Sequence, residues 1–240
     1  MATQRTVRSY ESELENVDHH ILAMGGLVED QLRNSIKALV DGDDDLARRV
    51  IAHDHVIDDH EREVDELVTR IIALRQPLAE DLRRVKTALK VAANLERMGD
   101  LAANISKRSL VIEDVSHVPQ REALRRLGNA VHGMTVDVVD AFRDGNADLA
   151  RRVWNQDEQI DEMYNSVFLA ILADMISDPK LIAPGTHVHF VAKNIERIGD
   201  HATNIAEMVH YMIQGHLPGE DRPKASSVVT VDDGNATGQT

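Results

Sequence analysis

Four pairs of carboxylates, each pair four residues apart, are the residues best placed to do chemistry: Asp54 and Asp58, Glu96 and Asp100, Asp157 and Asp161, Glu196 and Asp200. On an α-helix, residues at i and i+4 lie one turn apart on the same face, so Glu96 and Asp100 are separated by only about 40° around the axis. Like charges at this spacing cost about 0.2–0.5 kcal/mol per pair, or roughly 1–2 kcal/mol for all four. A hard cation offsets that cost, because oxygen ligands on adjacent turns converge on one ion and bring the charge to match it. Spacing alone leaves a second reading open. The acids are equally consistent with a solvated helix face, and the small residues around Glu96 (Ala92, Ala93, Gly99, Ala103) with close helix packing.

Other chemistries find little support. The chain has no cysteine, which removes disulfides, thiolate metal sites and cysteine nucleophiles together. None of His19, His53, His55, His60 or His132 has a histidine at the matching position of the other half. Glu207 and His210 form a Glu-x-x-His pair, but their counterparts are Lys107 and Leu110, so the paired motif of a ferritin-like di-metal oxidase is incomplete. No nucleophile elbow or glycine-rich phosphate loop is present. A net charge of −14 repels nucleic acid and anionic lipid surfaces. The first twenty residues contain no apolar stretch of signal-peptide type, and the longest apolar run, Val167–Ala173, is too short to span a bilayer. The expectation is a cytoplasmic, soluble protein.

The elements that position these acids come from a duplication. Asp41–Asp58 aligns with Asp144–Asp161 at an offset of 103 with eleven identities in 18 positions, and Asn94–Ile105 aligns with Asn194–Ile205 at an offset of 100 with eight in 12. A unit of about 100 residues written twice is a small domain rather than a solenoid repeat. Apolar residues at three- and four-residue spacing, such as Val50, Ile57, Val64, Val68 and Ile71, predict helices. Asp41-Gly42-Asp43 closes a first helix that starts near Ser9, Pro77 ends a second, and a third runs from about Leu78 to Ile112. Asp144-Gly145-Asn146 and Asp178-Pro179 repeat the punctuation. The predicted fold is all-α: two tandem antiparallel three-helix bundles, six helices in all. The first repeat spans residues 1–116 and the second 117–216, with Glu113–Gln120 as the linker and 217–240 as a disordered tail.

"NLERMGDLAANI" (94–105) and "NIERIGDHATNI" (194–205), each preceded by a helix carrying Asp-x-x-x-Asp, resemble the signature of the PhoU family over nearly all of residues 8–214. The resemblance implies two three-helix bundles and no enzymatic activity. It implies a cytoplasmic negative regulator that restrains phosphate uptake and the phosphate-starvation response, linking the phosphate ABC transporter to its sensor kinase. The implied partners are the PstB ATPase and the PhoR kinase, with a homodimer, no nucleic acid, and membrane contact only through those partners. It also implies multinuclear iron or zinc clusters, with Asp54, Asp58, Glu96 and Asp100 as the first ligand set and Asp157, Asp161, Glu196 and Asp200 as the second. Asn104 and Asn204, one turn further along, stand behind these ligands. The alternative is a carboxylate-bridged di-metal enzyme or a metal-storage helical protein.

Overall fold

The two Asp-Gly turns set the plan of the chain. Gly42 and Gly145 both take the left-handed conformation, with φ of 69° and 58°, which glycine enters without a Cβ penalty. Immediately afterwards Asp43 Oδ1 accepts the amide of Leu46 at 2.9 Å, and Asn146 Oδ1 accepts that of Leu149 at 3.0 Å. Each turn therefore ends one helix and caps the next with the same chemistry.

The computed structural model describes residues 2–112, 118 and 120–219, with side chains from Tyr10 onward. The first unit contains α1 (Ala2–Asp41), α2 (Asp44–His53), α3 (His55–Arg75) and α4 (Ala79–Ser109). The second contains α5 (Arg121–Asp144), α6 (Ala147–Asn155), α7 (Asp157–Ser177), a 3-10 turn (Pro179–Leu181) and α8 (Ile182–Gln214). Among the described residues there is no strand. Most of the expected linker and residues 220–240 of the expected disordered tail lie outside the described residues.

One feature departs from the six-helix expectation. The middle helix of each bundle is broken in two, at Asp54 in the first unit and at Gln156 in the second. At the first break His53 Nδ1 donates to the Arg49 carbonyl at 2.8 Å and His55 Nδ1 to the Ala52 carbonyl at 2.9 Å. The second break has Gln156 and Glu158 at the matching positions, so the histidines accompany the break rather than explain it, and neither site has a Pro or Gly that the sequence would show.

The long helices α1, α4, α5 and α8 carry the centre. Val91, Leu95, Met98, Ala102 and Ile105 are all buried, as the helical projection predicts, and one apolar core runs unbroken through both units. With only three Phe, three Tyr and one Trp in the chain, that core is aliphatic. Each fully buried Leu, Ile or Met contributes about 1.5–3 kcal/mol of transfer free energy. α4 and α8 lie antiparallel along their length: Thr87 meets Met208 at one end, Asn94 meets His201 and Asn204 midway, and Arg108 stacks on Phe190 at the other. The α1–α5 crossing shows the same pseudo-twofold relation. A Cβ on Gly25 would lie 2.7 Å from Val139 Cγ1, and one on Gly128 would lie 2.7 Å from Ile36 Cγ1. Both contacts join residues 103 positions from their twins.

Candidate functional site

The acidic stripe of α4 sits over the break between α2 and α3. Gly99 makes the approach close: a Cβ there would lie 2.8 Å from Ile57 Cδ1, and 3.5 Å from both Asp54 Oδ1 and Gln31 Oε1. Its twin Gly199 is packed similarly, with Ile160 Cγ2 at 3.3 Å from the same hypothetical atom. The glycine of the heptapeptide thus admits an isoleucine from the neighbouring helix. The small-residue face serves close packing and, in the first unit, also brings Asp54 beside α4.

In the first unit the structure gathers Asp54, Asp58, Glu96 and Asp100 into one electrostatic neighbourhood. Burial holds the Asp54 carboxyl above its usual value and the charge of Asp100 adds to this, while a hydrogen bond from Gln31 opposes it. Glu96 is raised in the same way, by burial and then by Asp100. Arg97 lies on the solvent side, 3.3 Å from both Glu96 and Asp100. Gln31 is 6% exposed and its Oε1 has no hydrogen-bond partner, although it points toward the same spot as Asp54.

In the second unit Glu196, Asp161 and Asp200 are neighbours, while Asp157 turns to Thr203. Asp157 is 3% exposed and accepts a hydrogen bond from Thr203 Oγ1 at 3.2 Å. Glu196 is 8% exposed and accepts Lys193 Nζ at 2.7 Å. Burial raises the Glu196 carboxyl, Lys193 opposes, and the charges of Asp200 and Asp161 add to the rise.

Carboxylates with an unpaired buried amide oxygen form an all-oxygen donor set, suited to hard cations. By donor chemistry the first cluster therefore fits a metal. Among the described residues, however, no three His, Cys, Asp or Glu side chains are already grouped to hold an ion.

Other candidates are occupied elsewhere. Glu207 accepts the Trp154 indole N–H at 3.2 Å and His210 Nδ1 donates to the His216 carbonyl at 3.1 Å, so this pair serves helix packing and the end of α8. Asn104 lies 3.5 Å from Lys107 Nζ. Asn204 joins His201 in contacting Asn94 Oδ1 across the α4–α8 interface, at 3.5 and 2.9 Å.

A family model described as the PhoU domain matches the chain twice, over residues 21–109 and 124–209. The chain belongs to the PhoU family. It is 42% identical to the phosphate-specific transport system accessory protein PhoU homolog of Caulobacter vibrioides, over 92% of this chain and 97% of that protein. The corresponding protein of Rhizobium meliloti is 40% identical over 96% of this chain and 98% of its own length. The crystal structure of PhoU from Pseudomonas aeruginosa superposes with a TM-score of 0.84 at 38% identity, covering 86% of this chain and all of the other. The phosphate transport system regulatory protein PhoU from Streptococcus pneumoniae gives 0.81 at 29% identity, over 87% and 99%. These names describe accessory and regulatory proteins rather than enzymes. No described helix is long and apolar enough to cross a membrane.

The PhoU signature leaves out Gln31 and Lys193. Gln31 continues the alternating three- and four-residue spacing of Leu14, Val17, Ile21, Met24 and Val28 on α1, where an apolar residue is expected, and its twin is Met134. A polar residue on a core register in one half only was a readable signal.

The raised Asp54 carboxyl carries a pH prediction for the metal-free protein. A carboxylate raised in the folded state contributes its full stability below its unfolded value. That contribution is lost as pH rises through the folded value. Asp54→Asn is therefore expected to match the wild type in melting temperature below the usual aspartate range, then to exceed it increasingly as pH rises above that range. Thermal melts from pH 3.5 to 7.5 check this; a constant difference between the two proteins contradicts it.

Proposed function

We propose that this chain is a cytoplasmic regulatory adaptor of phosphate transport that restrains uptake and keeps the phosphate-starvation response off when phosphate is plentiful. The observation that carries the reading is the double PhoU-domain match, together with near-full-length likeness to accessory proteins of the phosphate-specific transport system. The partners are the transporter ATPase PstB and the sensor kinase PhoR, met through helical surfaces, with the chain acting as a homodimer and reaching the membrane only through them. Within this role the first acidic cluster is a metal site taking iron or zinc, as its oxygen donors and the unpaired Gln31 oxygen support. Bound metal would tie α3 to α4 by neutralising carboxylates contributed by both helices.

Deleting the gene is expected to leave starvation genes expressed, or phosphate uptake unrestrained, in phosphate-rich medium. Re-expression of the chain is expected to restore repression, and pull-downs with it are expected to recover PstB and PhoR. A deletion strain with normal repression and normal uptake overturns the adaptor reading.

A further inference from the structure

The two clusters are copies in sequence but differ in surroundings, and the differences act together. Lys193 replaces Ala93, Tyr164 replaces Glu61, and Phe168 replaces Asp65. The Lys193 ammonium sits 2.7 Å from Glu196 Oε1 and 5.1 Å from the centre of the Tyr164 ring, which stacks on Phe168 at 6.4 Å. An aromatic face and a carboxylate thus hold one cation between them. The unpaired buried oxygen of Gln31 is lost as well, because its twin is Met134. Thr203, in place of Ala103, instead donates a hydrogen bond to Asp157. The difference does not lie in the signature itself, since Arg97 and Arg197 stand at matching positions of the sequence.

We propose that the side chain of Lys193 is the resident cation of the second cluster, so that divalent metal enters the first cluster alone. Resting on the reading that the first cluster binds metal, this gives the two halves different tasks. The first half, with carboxylates and an unpaired amide oxygen, responds to metal. In the second, Lys193 already pairs with Glu196 and the Tyr164 ring and so holds α7 against α8 without an ion. One feature marks where an ion would enter if the lysine were absent: Glu196 Oε2 is buried and has no hydrogen-bond partner.

The test is manganese(II) binding to the metal-stripped full chain, measured by equilibrium dialysis with metal analysis and by electron paramagnetic resonance. Five proteins are compared: wild type, Lys193→Ala, Lys193→Met, Glu196→Gln, and Glu96→Ala with Asp100→Ala. The wild type is expected to load one cluster, and the Glu96/Asp100 variant to lose essentially all bound metal. Lys193→Ala, which restores the first half's residue, is expected to about double the bound metal. Lys193→Met, which keeps side-chain volume without charge, is expected to do the same. Without metal both Lys193 variants are expected to melt below wild type, because a buried Glu196 loses its partner, and manganese is expected to restore them. Metal retained by the Glu96/Asp100 variant and released by Glu196→Gln overturns the proposal while leaving the metal reading standing. Unchanged stoichiometry in both Lys193 variants overturns it too. A wild type that binds no manganese, iron or zinc defeats the metal reading itself; if the Lys193 variants also bind none, the proposal falls with it.

Discussion

A chain carrying Gly25→Val together with Gly128→Val is expected to unfold roughly 10 °C below wild type, from a loss of about 4 kcal/mol. The two glycines are the points where α1 and α5 cross, and each receives a β-branched side chain: Val139 against Gly25 and Ile36 against Gly128. A Cβ at either glycine would approach two side-chain atoms to within 3.0 Å. Those atoms cannot swing aside easily, since a β-branched residue in a helix has essentially one χ1 rotamer. Overpacking of this kind costs about 1–3 kcal/mol per site, partly offset by the better helix propensity of valine over glycine. The sites are about 16 Å apart along α1, so their effects should add. Combining Gly128→Val with Ile36→Ala is expected to recover part of the single-site loss, because the deleted side chain is the one the valine displaces. Calorimetry on the single, paired and rescued variants measures this. Equal melting temperatures for wild type and the double valine variant would show that the crossing is looser than described.

Divalent metal at about 100 times its dissociation constant is expected to stabilise the wild type by ~2.7 kcal/mol, and Glu96→Ala with Asp100→Ala is expected to abolish that gain. In metal-free protein the same pair of substitutions should be close to neutral. Removing the like-charge pair and adding a strong helix former favours the variant. Against this, Arg97 bridges both carboxylates at 3.3 Å, and losing those exposed pairs removes a small favourable contribution. A substitution that is silent without metal and costly with it cannot come from a merely solvated acidic face. Identical melting shifts for wild type and variant across iron, zinc and manganese would identify the acids as surface charge.

How much of this could be read in the sequence depends on the range of the interactions. The duplication, the Asp-Gly turns with their capping acids, the stop at Pro77 and the buried face of α4 all follow from neighbours within a few residues. They are therefore legible as periodicity and breakers. The heptapeptide could be recognised, and with it the family, because the signature is contiguous and written twice. The break in the middle helix could not, since it recurs in both units with no Pro or Gly at either site to announce it.

The inequality of the two clusters was decided only by the tertiary structure. Gln31 lies on α1, far along the chain from Asp54, and they meet only because Gly99 lets α3 close on α4. Lys193 reads as one more charge on a helix until the fold places it between Glu196 and the ring of Tyr164. The sequence by itself determined which residues the duplication copied and which faces they occupy, because helical geometry is local. Which copy faces an unpaired amide oxygen, and which pairs Glu196 with a lysine, was decided by side chains brought together in space, where hydrogen bonds and charges act over a few ångströms and not along the chain.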